Sequence, residues 1–481
     1  MTLTKARVKP KKPVRMASGV TVVAIMTKPF PCPHGKCIYC PGGPEIGTPQ
    51  SYLEDSPAVA RALRHGFDPY EQVRARLMQY VAMGHEPSKV ELIIMGGTFT
   101  ALPLDYQEWF VAMALEAMNR FPKPKAKSWI SLEKAQQRNE KARVRCIGIT
   151  FETRPDWAKE KQIDRMLRMG GTRVEIGVQS IYDDVLKRIE RGHTVRDTIE
   201  ATRLLKDAGF KVCYHIMPGL PGSDIDRDFD MFKTIFENPD FRPDMLKIYP
   251  TLVIPGTKLY EMWKRGKYNP MTTQDALELL IKIAPHIPKW VRIMRIQRDI
   301  PLHHVAAGVN IGNLRQVFED LVRRRGIRYR EIRFREVGIR MIKYGEVPSE
   351  ENIKLLKEEY EASRGTEVFL SFEDVKKDIL IGFLRLRIPS SEAHRWEIKP
   401  GTAIVRELHV YGPQVPIGDR EEMAWQHKGY GRRLLMEAER IALEEYDARR
   451  MLIISGIGVR DYYRRLGYRR HPHSTYMLKK L

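Results

Sequence analysis

Only five cysteines occur among the 481 residues: Cys32, Cys37, Cys40, Cys146 and Cys213. An odd total with three members inside nine positions excludes a disulfide framework and points to metal binding in a reducing compartment. Long apolar runs are missing too. The longest, residues 20–26, falls far short of the ~20 needed to cross a bilayer and lacks the flanks of a signal peptide. Acid is in short supply: Lys and Arg number 82 against 60 Asp and Glu, a formal net charge of +22. The field of such a chain attracts polyanions. A cytoplasmic protein is expected, with nucleic acid rather than lipid as its acidic partner; composition does not separate tRNA from rRNA or DNA.

At ~100–200 residues per domain the length implies two or three domains. The first fifteen residues carry Lys5, Arg7, Lys9, Lys11, Lys12 and Arg15 with no acid, and with Pro10 and Pro13 read as an extended basic arm. Then short β-branched runs at 20–26, 90–95, 147–151, 173–178, 211–217 and 245–249 alternate with helical stretches at 70–83, 107–119, 162–169, 195–208 and 229–236. Such repetition predicts a parallel sheet with right-handed crossovers, here a partial or full β/α barrel of six strands with chemistry in the loops after the strands. Residues 296–345 crowd Arg315, Arg323, Arg324, Arg325, Arg328, Arg330, Arg333, Arg335, Arg340 and Lys343 around Tyr329 and Phe334. That density favours RNA contact over a solvated linker face. A helix near 350–362, a hairpin (368–372 and 379–388), a strand at 403–410, a helix at 432–445 and a strand at 451–455 predict a second, smaller α/β domain.

Cys32-Pro-His-Gly-Lys-Cys37-Ile-Tyr-Cys40 is a C-x4-C-x2-C array. Soft thiolates suit a four-iron cluster, and three of them leave one iron open. An open iron is what chelation and reductive cleavage of S-adenosylmethionine require. Zinc is the competing reading, but no second Cys/His pair follows at zinc-ribbon spacing. Cys146 and Cys213 read as small core residues. Gly96-Gly97-Thr98 after the second strand permits close backbone approach to a ligand, or merely a tight turn.

Gln426-His-Lys-Gly429-Tyr430-Gly431 opens the helix that runs to residue 445. Glycines there let backbone N–H groups reach a pyrophosphate at a helix N-terminus. Acetyltransferases of the GNAT type use this Q-x-x-G-x-G arrangement after a strand that binds the pantetheine arm, and Glu407-Leu408-His409-Val410 ends such a strand. Singly, His409, Glu407 and Tyr463 read as core or surface residues. Together with the turn they point to acetyl-CoA.

With DPYEQ at 68–72, MGGTF at 95–99, ETRPD at 152–156, VEIGVQS at 174–180, MPGLPG at 217–222, RIQRDIP at 295–301 and RELHVYG at 406–412, the chain resembles the Elongator catalytic subunit family over nearly its full length. The resemblance implies an α/β protein in four parts: a basic arm (1–19), a partial (β/α)6 radical SAM barrel (20–295), a basic linker (296–345) and a GNAT-type domain (346–481). It implies cluster ligation by Cys32, Cys37 and Cys40. It also implies acetyl-CoA contacts from Lys89, Glu407, Leu408, His409, Val410, Tyr430, Gly431, Arg432 and Tyr463. Formation of 5-carboxymethyluridine at tRNA uridine 34 would follow, with Tyr462 or Tyr463 a candidate for promoting thioester hydrolysis and a homodimer allowed. Two features depart from the family. Tyr329, Glu331 and Phe334 stand where relatives carry zinc-binding cysteines, so no zinc and a linker held by packing are expected. The arm is shorter than in relatives, which predicts weaker tRNA binding. Two rival readings are a protein lysine acetyltransferase with a structural iron–sulfur site and a non-catalytic RNA-binding module.

Overall fold

The structure is a computed structural model that describes residues 17–126, 128–412, 425 and 428–481. The six cations of the expected basic arm, and Gln426 of the glycine-rich turn, lie outside the described residues.

Seven parallel strands form the first sheet: β1 (Thr21–Met26), β2 (Lys89–Met95), β3 (Arg145–Thr153), β4 (Arg173–Gln179), β5 (Lys211–Ile216), β6 (Met245–Ile248) and β7 (Arg292–Ile296). Each pairs with the next in chain order, and β1 and β7 are the two edges. The sheet is a curled half-barrel. β4 is buried at all seven positions, as a strand covered on both faces should be. The helices between strands carry strong start signals. Asp68 caps Pro69–Ala82 by accepting from the amides of Tyr70 and Glu71, and Thr194 with Asp197 closes a capping box on Val195–Asp207. The expected count of six strands is corrected to seven. β7 reads RIMRI, and its arginines hid it from a search for apolar runs.

The second sheet runs β13 (Arg469–Arg470), β14 (Met477–Lys480), β12 (Arg450–Ile453), β11 (Thr402–Val410), β10 (Ile379–Ile388), β9 (Gly365–Asp374) and β8 (Ile353–Ala362) across its width. β8 corrects the helix expected near 350–362. Its Leu, Lys and Glu content favours helix, but ten consecutive pairs with β9 decide the conformation, and tertiary pairing overrides such weak intrinsic preference. The helix Tyr430–Tyr446 packs on β9, β10 and β11.

Between the sheets lie helices Leu314–Arg324, Ile332–Arg335 and Val337–Tyr344. Tyr329 packs its ring 5.1 Å from Phe318 and 4.9 Å from Phe334. The buried Glu331 carboxylate accepts from the amides of Ile293, Arg333 and Phe334 at 2.8–2.9 Å. Much of the linker's positive charge is spent internally. Arg330 and Arg335 pair with Asp378 and Glu373, and Arg340 pairs with Glu346. Lys343 is exposed but pairs with Glu319, and Arg324, Arg325 and Arg328 are the remaining exposed cations, so the face open to RNA is smaller than the sequence suggested.

A buried ionic lattice joins the two sheets. Arg406 of β11 reaches Asp244, just before β6, with two bonds of 2.6 and 2.8 Å, and Glu367 of β9 at 2.7 Å. Arg387 of β10 bridges Asp207 at 2.6 Å and Glu367 at 2.9 Å. Lys206 lies 3.4 Å from Asp244. Burial alone would raise the Asp244 carboxyl, but Arg406 and Lys206 overrule it and hold it well below the usual carboxylate range.

Breaking a buried pair leaves an uncompensated charge, so Asp244→Ala is expected to destabilise the fold by about 3–5 kcal/mol, read as an earlier first transition in urea. Because its native pKa is depressed, the Asp244 contribution is complete above the unfolded value of about 3.9 and is lost as pH falls below it toward the native one. A urea midpoint unmoved by Asp244→Ala would contradict this account.

Candidate active site

The loop after β1 carries the three clustered cysteines to the C-terminal mouth of the half-barrel. Two tight turns shape it: the amide of Gly35 bonds to the carbonyl of Cys32, and that of Cys40 to the carbonyl of Cys37, each at 3.0 Å. Ile38 anchors it by donating to the Ile189 carbonyl and accepting from the Leu259 amide. Ile38 and Tyr39 sink into an apolar cluster with Val185, Leu186 and Leu259. Cys37 and Cys40 are buried, and Cys32 is half-buried.

Polar groups surround each sulfur. Thr98 Oγ1 lies 3.7 Å from Cys32 Sγ, Gln50 Nε2 lies 3.3 Å from Cys40 Sγ, and Arg191 Nη1 lies 3.8 Å from Cys37 Sγ. His34 Nε2 is 3.1 Å from Cys37 Sγ, while Arg154 Nη1 donates to His34 Nδ1 at 2.6 Å. The ring proton therefore sits on Nε2 and faces the sulfur. Burial, then the charges of Arg154 and Arg191, lowers the His34 pKa to about 3, so the ring is neutral. Burial pushes the Cys32 and Cys40 thiols up. Thiolates at these positions need a cation or cluster to hold them, with N–H donors and Arg191 in support.

The three sulfurs do not lie within 4.8 Å of one another. Thiolates on one tetrahedral zinc, each ~2.3 Å from it, would sit about 3.8 Å apart. The all-sulfur donor set at wider spacing fits a polynuclear iron–sulfur cluster. Gly97, at φ +92°, would place a Cβ 3.7 Å from Cys32 Sγ. At the end of β4, Gln179 adopts φ +69°, and its buried amide oxygen has no partner among the described residues. The glycine beside Cys32 and the orphaned acceptor at the end of β4 suit a polar cofactor such as S-adenosylmethionine.

Sequence reading missed a charged layer inside the half-barrel. Lys247 of β6 contacts Glu175 of β4 and lies 3.2 Å from Glu152 of β3. Tyr52 donates to Glu152 at 2.8 Å, and His215 bonds Glu175 at 2.9 Å. The signal was present: acids interrupt otherwise apolar strands in ETRPD and VEIGVQS, and a buried charge needs a partner and a reason. Cys146 and Cys213 are buried away from the cluster; Cys213 lies beside Glu175 and His215.

A cavity of about 1280 Å³ lies between the second sheet and the half-barrel, against the first residues of β2 to β7. Lys89, Glu91 and Arg173 line its barrel end; Glu407, Leu408, His409, Val410, Gly431, Arg432, Tyr462 and Tyr463 line the other. β11 pairs with β12 only over its first four residues. Beyond Val405 the two strands part, and the stretch from Arg406 to Val410 offers one edge to an extended ligand. Gly429, at φ +84°, starts the helix Tyr430–Tyr446 with no side-chain cap, leaving its first amides to an anion. A Cβ on Gly431 would meet the Tyr462 hydroxyl at 3.2 Å. His409 Nε2 lies 3.0 Å from the Ser18 carbonyl, and Arg385 donates to Glu407 at 2.9 Å. Burial lowers the Lys89 pKa to about 8 and raises those of Tyr462 and Tyr463. Of the residues expected at acetyl-CoA, Tyr430 alone turns its ring elsewhere, against Phe372 at 4.9 Å.

Residues 29–234 match the model of the Radical SAM superfamily, and residues 243–324 match that of the Radical_SAM C-terminal domain. The tRNA uridine(34) acetyltransferase of Methanocaldococcus jannaschii is 55% identical over 466 residues, 96% of this chain and 84% of that protein. Elongator complex protein 3 of Homo sapiens is 46% identical over 477 residues, 97% of this chain and 86% of that protein. The solved archaeal Methanocaldococcus infernus Elp3 with N-terminus deletion superposes with a TM-score of 0.84 at 50% identity, covering 96% of this chain and 100% of that one. A barrel mouth bearing three thiols, and a second sheet with a splayed strand and an open helix start, thus accompany close identity along nearly the entire sequence, and the chain belongs to the Elongator complex protein 3 family of radical SAM proteins.

Proposed function

We propose that this protein modifies tRNA, building 5-carboxymethyluridine at wobble uridine 34 from acetyl-CoA. The observation that carries this reading is one chain that joins a three-thiol half-barrel to a second sheet across a cavity lined by residues of both. That cavity gives acetyl-CoA a place against the half-barrel. The name of the archaeal relative, a tRNA uridine(34) acetyltransferase, supports the same substrate.

Cys32, Cys37 and Cys40 would hold a four-iron cluster, which with S-adenosylmethionine supplies a 5′-deoxyadenosyl radical able to take hydrogen from the acetyl methyl. The chain's own groups do the rest by position. Lys89, Arg432 and the first amides of the helix Tyr430–Tyr446 hold the phosphates. The edge of β11 that β12 leaves after Val405 holds the pantetheine arm. Tyr463, kept protonated by burial, presents a hydroxyl donor to the thioester carbonyl, and Tyr462 stands beside it with ring centres 5.2 Å apart. Joining the methyl carbon to uridine C5, loss of one electron from the ring to an external one-electron acceptor and of one proton to water, and hydrolysis of the thioester would leave a carboxymethyl group and free coenzyme A. The base must leave its stack to enter, and Arg324, Arg325 and Arg328 offer exposed charge for the RNA backbone.

Mass spectrometry of uridine 34 after anaerobic reaction with methyl-labelled acetyl-CoA is expected to show the label in a carboxymethyl group. Cys37→Ala with Cys40→Ala should abolish that product. Product retained without these thiols, or label transferred to protein lysine instead, would favour an ordinary acetyltransferase. Lys89 loses its charge above about 8, so acetyl-CoA affinity should fall as pH rises through that value. Lys89→Gln should weaken binding about tenfold, or ~1.4 kcal/mol, and erase the pH step; Lys89→Arg should keep affinity and erase the step. Calorimetric titration between pH 7 and 9 checks all three.

A further inference from the structure

The half-barrel has an open seam, because its edge strands β1 and β7 do not pair. Loops that follow those two strands meet across it. Arg298 donates to the carbonyl and hydroxyl oxygens of Ser51 at 2.6 and 2.9 Å, and Ser56 donates to the Asp299 carbonyl at 3.2 Å. A third tie lies beside these. Asp55 Oδ2 is 2.9 Å from His303 Nε2 and 2.8 Å from His304 Nε2, and the three ligand atoms lie within 4.8 Å of one another.

We propose that Asp55, His303 and His304 bind a divalent cation of the zinc class that clasps the seam of the half-barrel at its mouth. Convergence of adjacent histidines is the telling feature. They end a 3₁₀ turn, Leu302–His304, in which successive side chains point about 120° apart. Yet the two rings lie 4.2 Å apart and aim their Nε2 atoms at one carboxylate oxygen. Two imidazoles and one carboxylate are a donor set for zinc or another borderline metal, not for the oxygen-seeking magnesium or calcium, and three protein ligands leave a position for water. Side-chain exposures of 35%, 69% and 32% for Asp55, His303 and His304 keep the site open to exchange. Occupancy would stiffen the segment that carries Gln50 and Ser51, hence the wall behind Cys40, without touching the thiols. The three thiols of the cluster and this triad are separate donor sets.

The test uses untagged full-length protein with its cluster reconstituted anaerobically and stripped of loosely bound metal. Zinc titrated by calorimetry should bind at one equivalent and raise the unfolding temperature, as a ligand of the native state must, while the cluster absorption stays unchanged. Asp55→Asn preserves shape and should weaken binding at least about tenfold, the scale on which even outer partners of metal ligands act. His303→Ala with His304→Ala should remove both the uptake and the temperature shift. Uptake of equal affinity in these variants, uptake accompanied by bleaching of the cluster, or no stoichiometric uptake by the wild-type chain would each overturn the proposal.

Discussion

Everything at the centre of this molecule depends on the charge lattice that Arg406, Asp244, Glu367, Arg387 and Asp207 build between its two sheets. Such buried ions gain little net stability over well-packed apolar groups, since desolvation consumes most of their attraction. They do fix geometry. The paired bonds from Arg406 to Asp244 and the shared carboxylate of Glu367 leave few alternative ways for β9, β10 and β11 to sit against β5 and β6. β11 therefore arrives with the edge that β12 leaves after Val405 lining the cavity.

A second constraint is electrostatic. The thiol loop is threaded among Arg191, Arg154 and a neutral His34, a set of donors suited to negative sulfur and to nothing apolar. On the inside, Lys247 lies between Glu152 and Glu175 and Arg173 lies 3.5 Å from Glu175, so both carboxylates of the layer have a cationic partner. A ligand entering the lumen meets fixed dipoles and paired ions rather than a bare charge.

Much of this was legible in the sequence, and the failures have physical causes. Six β-branched runs announced six strands. β7 stayed hidden because Arg292 and Arg295 serve the cavity lining rather than an apolar core. β8 looked helical because Leu, Lys and Glu are good helix formers; the partner that makes it a strand, β9, is known only once the chain folds. The thiol loop and the glycine-rich helix start could be picked out because both use short local motifs. The lumen ions could not be paired from sequence, since their members come from separate strands, and the arginine-rich linker overstated its free charge because Asp378, Glu373 and Glu346 answer it from a distance. For the same reason Asp55 and the two histidines, 248 and 249 positions apart, show no motif.

Gly456 stands where a side chain is sterically forbidden: a Cβ there would fall 1.9 Å from the carbonyl oxygen of Ile147 in β3. Backbone thus rests directly on backbone at the junction, with no flexible side chain to absorb a shift. The cavity belongs to neither fold by itself, because both supply its walls. Graft either half onto a foreign partner, and the missing wall would have to be rebuilt around a contact that admits no adjustment.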